Sequence, residues 1–427
     1  MNTKTLLTGL FLVFSGFCFG QSTFEKHFED KTLRIDYMMG GDANSQTVFL
    51  KELKEEPFWG GSKTNLIDKF GYGTFRFKLF DAESGELLYS KGFNSLFQEW
   101  QTTAEAKELK RAFYQVNVMP YPKNPVRFVL ESRKWDGTME QIWEYKIDPA
   151  NYFIGKEKPC TVPFTKVMGK GDPAKSIDVA FIAEGYTADE MEKFRADVKR
   201  VTGYIFDVPP FDKYQDRFNI YALESVSEDS GTDVPGEYIY KNTAVNTTFY
   251  TFDIDRYLTT FDIKALHDIS ANVPYDQIFV LINTDRYGGG GFYNYYTSCS
   301  SDNVLTYEVS SHEFGHGFVG LGDEYYSSAV AYEDFYNLEI EPWEPNLTTL
   351  VDFEKKWKGM MDESTPVPTP RTAENENKIG VFEGGGYVTK GVYSPYQDCK
   401  MKSNKMKHFC PVCEKATEEM ILFHIGE

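Results

Sequence analysis

Residues 311–324 read Ser311-His312-Glu313-Phe314-Gly315-His316-Gly317-Phe318-Val319-Gly320-Leu321-Gly322-Asp323-Glu324, and HExxH lies within them. On a helix, side chains four apart share a face, so His312 and His316 can offer two imidazole nitrogens to one metal. Glu313, about 100° round the helix, leans over the open coordination position. Zinc in such a site lowers the pKa of bound water towards 7, and the carboxylate takes its proton as it attacks a carbonyl. The chain has 6 histidines in 427 residues, which puts the chance expectation of the motif below about 1 in 100.

The flanks extend the pattern. Apolar periodicity through Val304, Leu305, Tyr307 and Val309 predicts a helix running into the motif, and Gly320 and Gly322 are residues that end one. Metzincins use HExxHxxGxxH, where a glycine turn swings a third ligand back under the metal. Here the spacing is H-E-x-x-H-x-x-x-G-x-x-D, one residue longer and with a carboxylate as the third group. A short turn through Leu321 and Gly322 predicts Asp323 as that ligand, with Glu324 facing away because successive extended side chains alternate. HEFGHGFVGLGDEYY resembles the helix of the bacterial immunoglobulin A peptidase family of zinc metallopeptidases. The resemblance covers about residue 175 to the end, and more loosely the stretch before it. It implies a metzincin-like domain with a methionine turn at Asp398-Cys399-Lys400-Met401, and it makes Tyr393 and Tyr396 candidates for holding an oxyanion.

The elements that must position these residues fall into two parts, an α+β multidomain chain with an all-β half first. From Phe24 to Ile147, short alternating runs such as Phe75–Phe80, Val126–Leu130 and Gln141–Tyr145, broken by turn residues, predict a β-sandwich over residues 21–150. This half carries no catalytic cluster and reads as a structural or binding module. Residues 151–175, rich in Lys, Pro and Gly, read as a linker. Residues 176–427 read as an α/β peptidase domain: a strand at 177–183, a capping box at Thr187–Glu190 opening a helix, a strand at 218–226, a helix near 262–271 and an apolar strand at 278–282. Gly288–Gly291 and the aromatics after them predict an edge strand along a cleft, where an extended peptide can add. The acidic loop Glu228–Asp233 lacks EF-hand spacing and reads as solvated or as part of a substrate rim. Tyr325 to Val388 reads as a lid or subsite-forming insertion.

Residues 1–20 have Lys4, an apolar run from Leu6 to Phe14 and small residues up to Gly20, the pattern of a secretory signal peptide. Phe17 before Cys18 argues against lipidation. Removing them takes away Lys4 and no acid, so a net charge of −19 becomes −20, which argues against nucleic acid or anionic membrane as partner. No later stretch is long enough to span a membrane. Cys160, Cys299, Cys399, Cys410 and Cys413 remain, with pairing open. Cys410-x-x-Cys413 is half a structural zinc site, a redox pair or a local disulfide, and the lack of a second CxxC argues against a zinc ribbon. The expectation is an exported zinc endopeptidase acting on protein or peptide, with zinc on His312, His316 and Asp323 and Glu313 as general base; immunoglobulin-like host proteins are a substrate class suggested by the family name. The rival is a surface protein of the same fold that binds glycoprotein or glycan without turnover. Oligomeric state is not legible.

Overall fold

The computed structural model describes residues 23–157, 161–326 and 336–427. The expected signal peptide, Cys18, Cys160 and the 327–335 part of the expected insertion lie outside the described residues.

The first half holds a short helix α1 (Thr23–His27) and two antiparallel sheets. Strands β1 (Phe28–Asp42), β2 (Ser45–Glu56) and β5 (Arg111–Pro122) form one in the order β2-β1-β5. Strands β3 (Phe75–Asp81), β4 (Leu87–Phe93), β6 (Val126–Arg133) and β7 (Met139–Ile147) form the other in the order β4-β3-β6-β7. On β3, Phe75, Phe77 and Leu79 are buried while Arg76 and Lys78 turn outward to Glu131, the alternation a half-buried strand requires. The two sheets meet where Trp143 lies 5.7 Å from Tyr37 of β1 and 5.7 Å from Phe128. Between β4 and β5 sit α2 (Leu96–Gln101) and α3 (Glu105–Glu108).

The stretch expected as a linker carries β8 (Phe164–Met168), an edge strand of the second half's sheet. Its prolines and glycines bound a strand that pairs antiparallel with β10 through one edge only, a place where a polar, punctuated sequence is tolerated. The sheet runs β12-β13-β11-β9-β10-β8, built from β9 (Ile177–Glu184), β10 (Phe218–Leu223), β11 (Gln277–Ile282), β12 (Gly289–Phe292) and β13 (Tyr296–Ser300). The four central strands are parallel, and β9 and β11 are buried at every residue, which explains their unbroken apolar runs. Thr187 and Glu190 form the predicted capping box, leading into α4 (Met191–Phe206). Asp262 caps α5 (Ile263–Ser270) through the Ala265 N–H.

Successive side chains of the sheet serve two cores. Val179, Phe181, Phe279 and Leu281 pack with α4, with α6 (Thr306–Phe314) and with the last helix, α7 (Pro411–His424). Ala180, Ile182, Val280 and Ile282 face α5 and share one continuous apolar cluster with β1–β7. Arg34 of β1, 1% exposed, is held by a bidentate pair to Asp36 of its own strand (2.6 Å each) and fastens the two halves by a 2.7 Å bond to Asp268 of α5. The acidic loop is tied to the segment that follows it: Asp229 and Asp233 accept the backbone N–H groups of Asn242 and Lys241. The long insertion is mostly irregular and ends in a hairpin of β14 (Phe382–Gly385) and β15 (Val388–Ser394). Among the described residues, no helix is long and apolar enough to cross a membrane.

Candidate metal centre

Helix α6 begins at Thr306, later than the periodicity suggests, because Val304 is exposed and outside it. After Phe314 the chain widens into a π-helical turn, Gly315–Val319, and Gly320 closes it at φ +77°, where the Gly320 N–H reaches the carbonyls of Gly315 and His316. Two glycines let this segment sit deep. A Cβ on Gly315 would lie 3.1 Å from the Met401 sulfur, and one on Gly317 would lie 2.1 Å from Thr297 Oγ1.

The turn brings Asp323 back under the two histidines. His312 Nε2 and His316 Nε2 are 3.1 Å apart, and Asp323 Oδ1 is 3.1 Å from the first and 3.2 Å from the second. Each imidazole is oriented from behind: Nδ1–H of His312 donates to Lys400 O (2.9 Å) and Nδ1–H of His316 to Leu321 O (2.5 Å). A carbonyl only accepts, so both Nδ1 atoms carry a proton, and the two Nε2 atoms are turned towards each other and towards Asp323 Oδ1. Asp323 Oδ1 is buried and accepts no hydrogen bond, while Oδ2 accepts from the Tyr387 hydroxyl. Three ligating atoms this close need a shared proton or a metal cation between them. The edge of a tetrahedron around zinc with ~2.0–2.1 Å bonds is about 3.3–3.4 Å, so the set fits a metal held on three sides.

Charge tells the same story. Burial opposes protonation of His316, yet Asp323 and Glu313 outweigh it and raise the imidazole to about 9. Burial works against the Asp323 carboxylate as well, but the two histidines hold it well below the usual range. Glu313 is raised by burial and by Asp323 against the pull of the histidines, and its carboxylate lies within 4.8 Å of both imidazoles.

Glu324 faces the other way, fully buried, with Oε1 accepting from Asn346 (3.0 Å) and Cys413 Sγ at 3.2 Å. Its backbone N–H donates to Met401 O (2.8 Å), which ties the segment after the metal set to the predicted methionine turn. That turn is closed by Lys402 N–H to Cys399 O (2.8 Å), and Met401 is fully buried beneath the site.

The set opens into a cleft of about 610 Å³. β12 is the edge strand of the sheet, as expected, but its glycines answer to the helix. A Cβ on Gly291 would lie 2.2 Å from Glu313 O, and one on Gly289 3.0 Å from Glu313 Cγ. Part of the outer edge of β12 is already taken by a bridge from Tyr257 to Gly289. Tyr393 and Tyr396 do not line the cleft; they pack in the apolar cluster around α7, and the Tyr393 backbone pairs with Thr348. The tyrosine at the metal set is Tyr387, held at φ +66° after Gly386, and nothing in the sequence ties it to a motif 64 residues upstream. The first half also reaches the site. Asn94, Glu99 and Thr102 form part of the cleft wall, so this half is more than a separate structural module. Glu99 accepts from the Tyr257 hydroxyl and is raised to about 7, chiefly by burial.

No curated protein matches the chain. Residues 23–144 match the family described as peptidase M64 N-terminus. Residues 165–377 and 371–421 match IgA peptidase M64, and the chain therefore belongs to that family and is a metallopeptidase.

Proposed function

We propose that the chain is an exported zinc endopeptidase whose metal is held by His312, His316 and Asp323 and whose general base is Glu313. Its architecture is a β-sandwich followed by a metzincin-like domain. The single observation that carries this reading is the triangle of Nε2, Nε2 and Oδ1 atoms with 3.1–3.2 Å sides, on the wall of the cleft. Bound there, zinc supplies Lewis acidity towards water and the scissile carbonyl.

The chain's own residues do the rest. His312 and His316 are aimed because Lys400 O and Leu321 O accept from their Nδ1–H groups, which leaves Nε2 of each ring for the metal. The raised affinity of Glu313 for a proton suits it to take one from the attacking water and to return it to the leaving amine. Tyr387 holds the second oxygen of Asp323, so that carboxylate presents one oxygen to the metal. The aromatic walls of the cleft, Tyr257, Tyr293 and Trp343 among them, suit an extended peptide. Extracellular proteins, immunoglobulin-like ones among them, are the proposed substrate class, and the leader-like residues 1–20 support export. Membership in a peptidase family removes the support for a binding-only protein.

The test is digestion of a mixed peptide library with and without a chelator, read by mass spectrometry, for the wild type and Glu313→Gln. The variant keeps its metal and loses roughly 10²–10⁴-fold in turnover. Near-normal turnover in the variant refutes the assignment.

A further inference from the structure

Behind the cleft lies a second convergence of ligating atoms that the peptidase reaction does not use. Cys399 comes from the methionine turn, Cys410 and Cys413 from the start of α7, and Glu324 from the residue after Asp323. All four are buried, and one ligand atom from each lies within 4.8 Å of all the others. Cys399 Sγ and Cys413 Sγ are 3.9 Å apart, Cys413 Sγ and Glu324 Oε1 are 3.2 Å apart, and the Cys410 N–H donates to Cys399 Sγ at 3.2 Å. Glu324 Oε2 is buried with no hydrogen-bond partner.

We propose that Cys399, Cys410, Cys413 and Glu324 bind a second, structural zinc ion. Around zinc with ~2.3 Å bonds to sulfur, tetrahedral ligands stand about 3.8 Å apart, which is the spacing of Cys399 and Cys413. A disulfide needs its sulfurs at ~2.05 Å, and no pair among these three is joined. Three thiolates and one carboxylate in a closed, four-coordinate arrangement select zinc over calcium or magnesium, which take oxygen ligands. Binding requires three thiolates and the carboxylate, and leaves a net charge of −2 on the site. The geometry prepares for that charge. Lys400 and Lys402 stand on either side of Met401, their ammonium groups buried without a hydrogen-bond partner among the described residues, over the rings of Tyr307 and Tyr326 and within electrostatic reach of Cys399, and for Lys402 of Glu324 as well. Cys410 caps α7 and Cys413 lies in its first turn, where the helix dipole favours thiolates. The missing partner of the Cys410-x-x-Cys413 half-site is thus a lone cysteine of the methionine turn, too irregular in spacing to read as a ribbon.

Such an ion pins three segments around the catalytic set: the turn whose Lys400 carbonyl aims His312, the residue beside Asp323, and the last helix, whose His424 packs on Phe318 of the turn that carries His316. The proposal stands apart from which reaction the cleft performs, and zinc counting separates the two. Purified full-length protein should hold two zinc ions per chain. His312→Ala with His316→Ala should keep one, and cobalt exchanged into that variant should show sulfur-to-metal charge-transfer absorption. Cys410→Ser with Cys413→Ser should lose one; if that variant fails to fold, titrating the wild type with a mercurial should release one zinc as three thiols react. Alkylation of the denatured, unreduced chain should modify Cys399, Cys410 and Cys413 alike. A disulfide among these three, or no zinc in the histidine double variant with the thiols free, overturns the proposal. One zinc that survives the histidine changes and is lost with the cysteines sustains this site and refutes the catalytic one.

Discussion

Changing Gly291 to alanine adds one methyl group at the contact between β12 and the helix that carries HExxH. The new Cβ would stand 2.2 Å from Glu313 O and 2.8 Å from His316 Cβ, against roughly 3.2 Å for an ordinary carbon–oxygen contact, so strand and helix must part by about 1 Å. Both opposing atoms belong to backbone or to a Cβ and cannot swing away. Overpacking of this kind destabilises by about 1–3 kcal/mol, and a 1 Å displacement of catalytic groups costs on the order of 10²-fold in rate. Gly203, in α4, is the control: its added Cβ meets nothing within 4 Å, so the same substitution there should stabilise by roughly 0.5–1 kcal/mol and leave activity alone. The assays are calorimetric melting, metal content and kcat/KM on a peptide selected from the library digestion. Gly291→Ala with wild-type kcat/KM and melting temperature would show that the helix is not seated on the strand as drawn.

Asp323→Ala should strip the catalytic metal, while Tyr387→Phe, which removes only the hydroxyl bonded to Oδ2, should weaken metal affinity 10–100-fold, as measured by competition with a chromogenic chelator. Glu56 gives a pH effect away from the site. Burial pushes its carboxyl from 4.5 up to about 7 against the pull of Arg34, so between those values the folded chain holds a proton that the unfolded chain has released. Stability therefore falls as pH rises through that window, by at most roughly 3 kcal/mol. Glu56→Gln should flatten the decline, read as melting temperature between pH 5 and 8, and an unchanged slope would refute the assignment.

The parts of the chain legible in the sequence are those where chemistry is local. His312, Glu313 and His316 lie on one helical repeat, the Thr187 capping box spans four residues, and the buried strands of the second half announce themselves as apolar runs. The alternation of Asp323 and Glu324 was legible for the same reason, and they do face opposite ways. What escaped is contact between distant segments. β8 looks like a linker because an edge strand needs little apolar sequence, and Tyr387, Glu99 and Cys399 reach their places through tertiary packing that no period encodes. Tyr393 and Tyr396 had sequence proximity to the methionine turn and nothing more.

The wide turn at Gly315–Val319 accounts for the extra residue between the second histidine and the acid. An i→i+5 turn takes up one residue more than an α-helical turn while delivering the chain to the same place, so an insertion there is absorbed without moving either end. For evolutionary comparison this fixes where the gap belongs. Aligned by counting from HExxH, Asp323 falls one column beyond the third ligand of a shorter motif and looks like an unrelated acid. With the gap opened inside the wide turn, Asp323, the proposed third ligand, would stand in the column of that shorter motif's third ligand.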